Sequence, residues 1–181
     1  AIISFLPKKR SKILDLGIGQ GYLEQRLRQL GIERKVYGID ISKKSIERAN
    51  KNFEGKFLVG DVLKIDRLYK KGFFDVVVAI ELIEHIPPDK IFNLYEKVHT
   101  ILKKKGLFII STPLNEGLIK MKTNPSAHVR EYSIPILKTE FKLENPHIEI
   151  IEIKSPDLDA KTIADEAAIS LERAGPLKFK I

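Results

Sequence analysis

The fold is decided by Lys12-Ile-Leu-Asp-Leu-Gly-Ile-Gly-Gln-Gly21 and the later stretch Val36-Tyr-Gly-Ile-Asp40. The first stretch predicts a buried strand and a glycine loop that opens a helix, and the second predicts a strand that ends in a carboxylate. A dinucleotide-binding fingerprint has its third glycine one residue later, at the position of Tyr22. The pattern therefore favours a site for a nucleoside carrying a small zwitterion over a pyrophosphate site.

Strand and helix patterns alternate along the rest of the chain, which predicts a mostly parallel sheet covered by helices on both faces. Strands are expected at 13–16, 36–39, 57–59, 74–80, 107–111, 148–153 and 176–181, the last as an edge strand. Helices are expected at 20–30, 42–50, 87–104, 133–141 and 160–174. Strand 74–80 is apolar except for Asp75, so it is expected in mid-sheet. The segment 112–132 has little periodicity and is predicted to be a functional loop.

Composition predicts one soluble cytoplasmic domain over residues 1–181, with no membrane insertion. The chain has no cysteine, which excludes disulfides, thiol nucleophiles and thiolate metal sites. Its net charge of +8 invites a nucleic-acid interpretation, but the cations are spread along the chain and mostly fall at helix ends or turns. The Lys-, Glu- and Ile-rich composition also suits a thermophile. Because the sequence lacks an initiator Met and enters its first strand almost at once, an upstream segment is expected.

Polar residues follow the predicted strands at the edge where open α/β sheets bind ligands. The helix amides after the glycine loop suit a carboxylate, such as that of a methionine moiety. Asp40 can accept from both ribose hydroxyls, and Ile41 can press on an adenine face. Asp61 and Val62 can offer a carboxylate to the adenine amine and a backbone amide to its ring nitrogen. The combination predicts S-adenosylmethionine as the ligand, although each aspartate alone also suits a helix cap.

The chain resembles the class I S-adenosylmethionine-dependent methyltransferase superfamily. The resemblance is carried by Ile13 to Gly21, Val36 to Ser42, Gly60-Asp61-Val62, and Phe74 to His85, and it extends from Ser11 to Tyr132. It implies a Rossmann-like, doubly wound, seven-stranded sheet with an antiparallel last hairpin. It also implies that Glu81 lies close to the transferred methyl group. The implied cofactor contacts are Asp15, Gly17, Gly19, Gly21, Asp40, Ile41, Asp61, Val62 and Glu81. A helix-like segment between the last two strands departs from the family pattern.

The run Glu81-Leu-Ile-Glu84-His85 has two interpretations. If the chain turns helical after Ile80, the two carboxylates and the imidazole share one face and can ligate a divalent ion, with His128 as a fourth ligand. In the simpler interpretation Glu81 lines the cofactor site, Glu84 faces solvent and His85 packs in the strand–helix turn. The simpler interpretation, without a metal, is favoured.

Transfer of a methyl group to a small-molecule acceptor, on an oxygen, is the favoured function, because the run before Pro87 together with Ser111-Thr112-Pro113 resembles ubiquinone-type O-methyltransferases. His85 or His128 would take the nucleophile's proton. The alternative is a metal-dependent RNA 2′-O-methyltransferase, against which Leu114 breaks the expected Thr-Pro-Asn run. A non-catalytic S-adenosylmethionine-binding subunit is a third possibility. A nicotinamide oxidoreductase is disfavoured by Tyr22.

Overall fold

The protein contains one mixed sheet, with parallel strands over most of its width and two antiparallel strands at one side. The computed structural model describes residues 2–7, 10–112, 129–130, 132–140, 148–150 and 175–180. Five strands run parallel, namely β1 (Lys12–Leu16), β2 (Lys35–Asp40), β3 (Lys56–Val59), β4 (Phe74–Ile80) and β5 (Leu102–Thr112). Two short strands, β6 (Ile148–Ile150) and β7 (Gly175–Lys180), pair antiparallel beside β5, giving the order β3-β2-β1-β4-β5-β7-β6. The predicted α/β, Rossmann-like architecture with a parallel sheet is confirmed.

The helices follow the strands as the alternating pattern predicts. They are α1 (Tyr22–Gln29), α2 (Lys43–Asn52), α3 (Ile65–Leu68), α4 (Pro88–Ile101) and α5 (Ile134–Glu140). Ser42 caps α2, as expected, because its hydroxyl accepts from the backbone N–H of Ser45 at 3.2 Å. Short 3₁₀ turns at Ile2–Phe5, Val62–Lys64 and Ile83–His85, and helix α3, were not predicted. No helix in the described part of the chain is long and apolar enough to cross a bilayer.

The buried side chains form two clusters, one on each face of the sheet. Successive residues of β1 alternate between them, with Ile13 in one cluster and Leu14 in the other. Helices α1 and α2 and the Ile2–Phe5 turn cover the first face, and α3, α4 and α5 cover the second. Strand β4 contributes to both clusters and lies between β1 and β5, so its predicted mid-sheet position is confirmed.

Helix α4 ends earlier than predicted, where the chain joins the sheet beside Asp75. The helix ends at Ile101 instead of Lys104, because Leu102 already pairs with Phe74 in the sheet. The register then shifts across Asp75, and Lys103 turns its ammonium onto Asp75 Oδ1 at 2.6 Å. The backbone N–H of Lys12 donates to Oδ2 of the same carboxylate at 2.9 Å. The lysine run is therefore part of a bulged strand instead of a solvated helix end.

The predicted C-terminal edge strand is an interior strand. β7 pairs with β5 on one side and with β6 on the other, so β6 is the edge of the sheet. The error arises because strand order depends on long-range pairing, which local periodicity does not report. The expected helix at 160–174 and most of the predicted loop, residues 113–128, lie outside the described residues.

Candidate functional site

The carboxyl ends of β1, β2 and β4 bring most of the predicted site residues to one edge of the sheet. The backbone N–H of Gly17 donates to the carbonyl of Ile39 at 2.8 Å, which ties the glycine loop to the end of β2. The backbone N–H of Gly60 donates to the carbonyl of Asp40 at 2.9 Å, which brings the end of β3 to the same place. Leu82, which follows β4, lies against Gly17. This edge is where parallel α/β sheets bind ligands.

The three loop glycines are required for different reasons. All have positive φ, +71° at Gly17, +50° at Gly19 and +78° at Gly21, where a side chain is strained. A Cβ on Gly17 would lie 2.9 Å from Cδ1 of Leu82, and one on Gly21 would lie 2.4 Å from Cε2 of Phe53. A Cβ on Gly19 would meet only the carbonyl oxygen of Gly17, at 3.7 Å. The space above Gly19 is therefore open to a ligand, whereas the other two glycines make room for the protein's own side chains.

Asp40 connects the glycine loop to the start of α2. Its Oδ2 accepts from the backbone N–H of Gly19 at 2.8 Å, and its Oδ1 accepts from the backbone N–H of Ser42 at 2.7 Å. Each carboxylate oxygen has a further lone pair, so these bonds leave acceptor capacity for a ligand. The carboxylate both orders the loop and remains able to bind hydroxyls.

Ile41 and Asp61 lie beside this carboxylate. Ile41 is 81% exposed at the end of β2, an unusual exposure for an isoleucine and one that a ligand can cover. Asp61 caps the 3₁₀ turn that begins at Val62, because its Oδ1 accepts from the backbone N–H of Leu63 at 2.9 Å. Its Oδ2 lies 3.9 Å from the ammonium of Lys64. Asp61 therefore acts as a cap through one oxygen, and its other oxygen has only a long contact with the exposed Lys64 ammonium.

Asp15 and Glu24 place two buried carboxyl groups beneath the glycine loop. Asp15, on β1, is 3% exposed, and Glu24, in the first turn of α1, is 4% exposed. Oδ1 of Asp15 and both carboxylate oxygens of Glu24 have no hydrogen-bond partner among the described residues. Burial, then the charges of Glu24 and Asp40, raise the pKa of Asp15 well above its usual value. The buried Asp15 oxygen is an acceptor without a donor at the predicted cofactor site.

Glu81 and Glu84 form a second acidic pair, between the ends of β4 and β5. Glu81 has φ +50°, and its Oε1 accepts from Oγ of Ser111 at 3.1 Å. Glu84 is 1% exposed, and its Oε2 accepts from Oγ1 of Thr112 at 3.1 Å. Burial is the main cause that raises the pKa of each carboxyl to about 7. The expectation that Glu84 faces solvent is wrong, because its side chain turns inward to the end of β5.

The helical arrangement on which the metal-site interpretation depends is absent at 81–85. Glu81 has a left-handed backbone and lies before the 3₁₀ turn at 83–85, so it does not share a helical face with Glu84 and His85. His85 is exposed instead of packed in the turn, which corrects the simpler interpretation as well. Within the ranges that the structure describes, no group of three His, Asp or Glu side chains is arranged to hold a metal ion. His128 lies outside those ranges.

The backbone of Glu84 also anchors the far end of the predicted loop. Its carbonyl accepts from the N–H groups of Val129, at 2.9 Å, and Arg130, at 3.2 Å. The hydroxyl of Tyr132 donates to the carbonyl of Ile83 at 3.4 Å. Thr112 and residues 129–130, which flank the segment 113–128, are thus both bound to one residue, Glu84.

Replacing Thr112 by valine is expected to lower the free energy of unfolding by about 1–2 kcal/mol, because the buried Glu84 carboxyl then loses its hydroxyl donor. The loss should be larger at pH 8 than at pH 6. Glu84 ionises as the pH rises through about 7, and the hydroxyl stabilises the ionised form. Urea unfolding at both pH values measures the effect. Thr100→Val, which removes an exposed helix hydroxyl, is the control. Equal losses in the two variants would contradict the role of Thr112.

Sequence reasoning missed Glu24, Phe53 and Thr112 as parts of this region. Glu24 had a signal, because it lies next to Leu23 and three residues before Leu27, within the apolar stripe of α1. Thr112 belonged to the run Ser111-Thr112-Pro113, but its bond to Glu84 could not be predicted, and Phe53 had no signal, since both roles depend on contacts with residues far away in the chain.

Comparison with known proteins identifies the fold and the family. The family described as a methyltransferase domain matches residues 7–158. A ubiquinone biosynthesis O-methyltransferase from Pelagibacter ubique is 37% identical over 114 residues, which cover 62% of this chain and 45% of that protein. A ribosomal protein L11 methyltransferase from Dictyoglomus turgidum is 38% identical over 114 residues, covering 61% of this chain and 36% of that protein. The chain thus spans less than half the length of these curated relatives.

A crystal structure of a SAM-dependent methyltransferase from Archaeoglobus fulgidus superimposes with a TM-score of 0.73 at 18% identity, covering 99% of this chain and 90% of that one. At this level of identity the likeness supports the fold. The family match over residues 7–158 and the glycine loop joined to Asp40 support the same assignment. The chain therefore belongs to the methyltransferase-domain family, within the class I S-adenosylmethionine-dependent methyltransferase superfamily.

Proposed function

We propose that this protein transfers a methyl group from S-adenosylmethionine to a small-molecule acceptor, with an oxygen as the nucleophile. The observation that carries the proposal is the glycine loop fastened to Asp40, with open space above Gly19. The unpartnered buried oxygen of Asp15 and the exposed Ile41 fit the same ligand, which has donors at its amino-acid end and an apolar adenine face. The ubiquinone-named relative supports the acceptor class, although the L11-named relative shows that similar domains also serve protein substrates.

The predicted site residues divide the binding work among them. Asp40 holds the ribose hydroxyls, Ile41 packs on the adenine, and Asp61 and the backbone amide of Val62 bind its polar edge. Gly17, Gly19 and Gly21 shape the loop over which the methionine portion lies, with Asp15 beneath it. When bound, the cofactor supplies an electrophilic methyl group on a sulfonium sulfur. The protein's contribution is to align the acceptor and to exclude water.

Glu81, which the sequence analysis assigned only to cofactor binding, is also placed to accept a proton. It lies at the carboxyl end of β4, half-buried, and with a pKa of about 7 it is partly ionised at neutral pH. We therefore propose it alongside His85 and His128 as a group that can take the proton of the acceptor. His85 is exposed in the turn that follows β4. Nothing in the described residues favours the metal-dependent RNA alternative.

Four further predictions rest on the sequence and belong with this proposal. Residues 1–181 form a single domain, and the complete sheet has seven strands, which the pairing of β6 and β7 beside β5 supports. The expected cytoplasmic location and thermophilic origin rest on composition alone. A non-catalytic binding subunit remains the alternative if the cofactor binds without turnover.

The proposal predicts that the purified protein binds S-adenosylhomocysteine in calorimetry and that Gly19→Ala weakens this binding at least about tenfold. The added methyl group enters the space above the loop and strains a residue at φ +50°. Gly72→Ala is the matched control, since Gly72 has φ +63°, and its Cβ would have only a carbonyl oxygen at 4.0 Å. A folded wild-type protein that does not bind S-adenosylhomocysteine would sink the proposal.

A further inference from the structure

Asp15 and Glu24 are the buried ionisable groups that the proposed methyl transfer does not fully explain. They lie on different elements, Asp15 near the end of β1 and Glu24 in the first turn of α1. Each side chain is more than nine-tenths buried, and the charge of Glu24 raises the pKa of Asp15, so the two groups are close enough to interact. Two neighbouring buried carboxyl groups do not both ionise readily, because like charges repel and burial removes their hydration.

The pair also lacks the donors that buried carboxylates normally have. Among the residues described, neither carboxylate oxygen of Glu24 receives a hydrogen bond. Oδ1 of Asp15 receives none either. Burial raises the pKa of Glu24 to about 7, and its own backbone amide opposes the rise only in part. A buried acceptor without a donor costs about 1–3 kcal/mol, so such a site is expected to hold a proton or a cationic ligand.

The charged groups around the pair do not neutralise it. Asp40 is a third acidic group, and its charge raises the pKa of Asp15 further. Glu24 also lines a cavity of about 810 Å³ between α1, the start of β2 and the end of α2. The cations that line this cavity are Arg10, Arg28, Arg34, Lys35 and Lys51, and its other carboxylates are Glu33 and Glu54.

The hydrogen bonds and ion pairs of the three arginines that line the cavity go to groups other than Glu24, and Nε of Arg34 has no hydrogen-bond partner among the described residues. Arg28 donates to the carbonyl of Asn52 at 3.1 Å, and Arg34 donates to the carbonyls of Glu33 and Pro7 at 2.8 and 3.0 Å. Arg10 pairs with the Glu33 carboxylate at 3.3 Å. None of these contacts involves Glu24, and the cavity gives this carboxyl a route for proton exchange.

We propose that Asp15 and Glu24 share one proton in the free protein and release it when they receive the ammonium group of the cofactor's methionine portion. Asp15 faces the ligand, and Glu24 is a positioning residue that acts through it. This inference rests on the proposed function. Cofactor affinity is then linked to pH, because a proton competes with the ammonium for the pair.

The sign of the linkage follows from the direction of the shift. Burial raises the pKa of Glu24 to about 7 and that of Asp15 well above its usual value, so the free protein holds a proton on this pair at pH 6. Release of one proton on binding makes the affinity fall as the pH falls, and between pH 8 and pH 6 the decrease is about tenfold.

Calorimetry with S-adenosylhomocysteine at pH 6, in two buffers of different ionisation enthalpy, counts the protons released. The wild-type protein should release close to one proton. Glu24→Gln should release clearly fewer, and its affinity should change less between pH 6 and pH 8 than that of the wild type, because only Asp15 can then hold a proton. Glu47→Gln, which removes an exposed carboxylate on α2, should behave as the wild type does. Binding by the wild-type protein without proton release and with a flat pH profile would overturn the inference while leaving the proposed function intact.

A ligand-free arm keeps the two failures distinct. The folded pKa of Glu24 lies above its usual value of 4.5, so the folded protein holds the extra proton between these values and loses stability as the pH rises. Glu24→Gln lacks this loss, and its urea midpoint should rise relative to the wild type from pH 5 to pH 8. If the urea midpoints of Glu24→Gln and the wild type differ by the same amount at every pH, the shared proton is ruled out, whether or not the ligand binds. Absence of ligand binding in every variant contradicts the proposed function and, with it, the ammonium part of the inference.

Discussion

Asp40→Ala is expected to weaken the binding of S-adenosylhomocysteine by about 100-fold or more. The carboxylate accepts from the backbone N–H groups of Gly19 and Ser42 at 2.8 and 2.7 Å, so its loss frees the glycine loop from β2 and α2. The proposed bonds to the ribose hydroxyls disappear with it. Hydrogen bonds to charged groups contribute about 1.5–3 kcal/mol each, and two of them correspond to a change of this size. Calorimetric titration at pH 7.5 measures the effect.

Two comparisons make the Asp40 result interpretable. Asp40→Asn keeps one carbonyl oxygen and should lose less affinity than the alanine variant. Glu47→Gln removes a carboxylate on the neighbouring helix without touching the loop and should leave binding within about threefold of the wild type. If Asp40→Ala binds as tightly as this control, the proposed role of Asp40 is wrong.

Gly21→Ala is expected to lower the free energy of unfolding by about 3 kcal/mol. Part of the loss, about 1–2 kcal/mol, comes from placing a side chain at φ +78°. The rest comes from overpacking, because the new Cβ would lie 2.4 Å from Cε2 of Phe53. The Phe53 ring packs against the α1–α2 face of the core, so moving it to relieve the contact disturbs this packing. Chemical denaturation of the purified variants gives the difference.

The chain contains a matched control for this prediction. Gly31 has φ +62°, but a Cβ there would meet nothing within 4 Å, so Gly31→Ala should show the backbone cost alone, about 1 kcal/mol. In a Phe53→Leu background the shorter side chain should relieve the overpacking, and Gly21→Ala should then cost about as much as Gly31→Ala. Equal costs for the two glycines in the wild-type background would show that the contact with Phe53 is unimportant.

Much of the fold could be predicted from local patterns. The strand before Gly17, the strand before Asp40 and the mid-sheet strand around Asp75 follow from apolar runs bounded by glycines and polar residues. The glycine loop and Asp40 could also be placed together, because consecutive parallel strands bring their carboxyl ends to one edge. Their direct bond confirms this part of the prediction.

Features that depend on distant partners could not be predicted. The sequence around Lys103 predicts the end of a helix, because the pairing of its ammonium with Asp75 on the neighbouring strand is not visible in the sequence. Glutamate is normally a surface residue, and the burial of Glu84 is explained only by its bond to Thr112, 28 residues later. The position of β7 inside the sheet likewise depends on pairing with β5. In each case a long-range contact outweighs the local preference.

The interior position of β7 has a consequence for how the chain is made. Ribosomes synthesise proteins from the N-terminus, so β5 emerges long before residues 175–180 are available to pair with it. Throughout that interval the nascent chain has an apolar strand, Leu107–Ile110, with one row of backbone hydrogen-bonding groups unpaired. Such an edge is a site where chains can join one another by strand pairing. The last described strand thus completes the sheet and also ends the period during which the growing polypeptide is most exposed to aggregation.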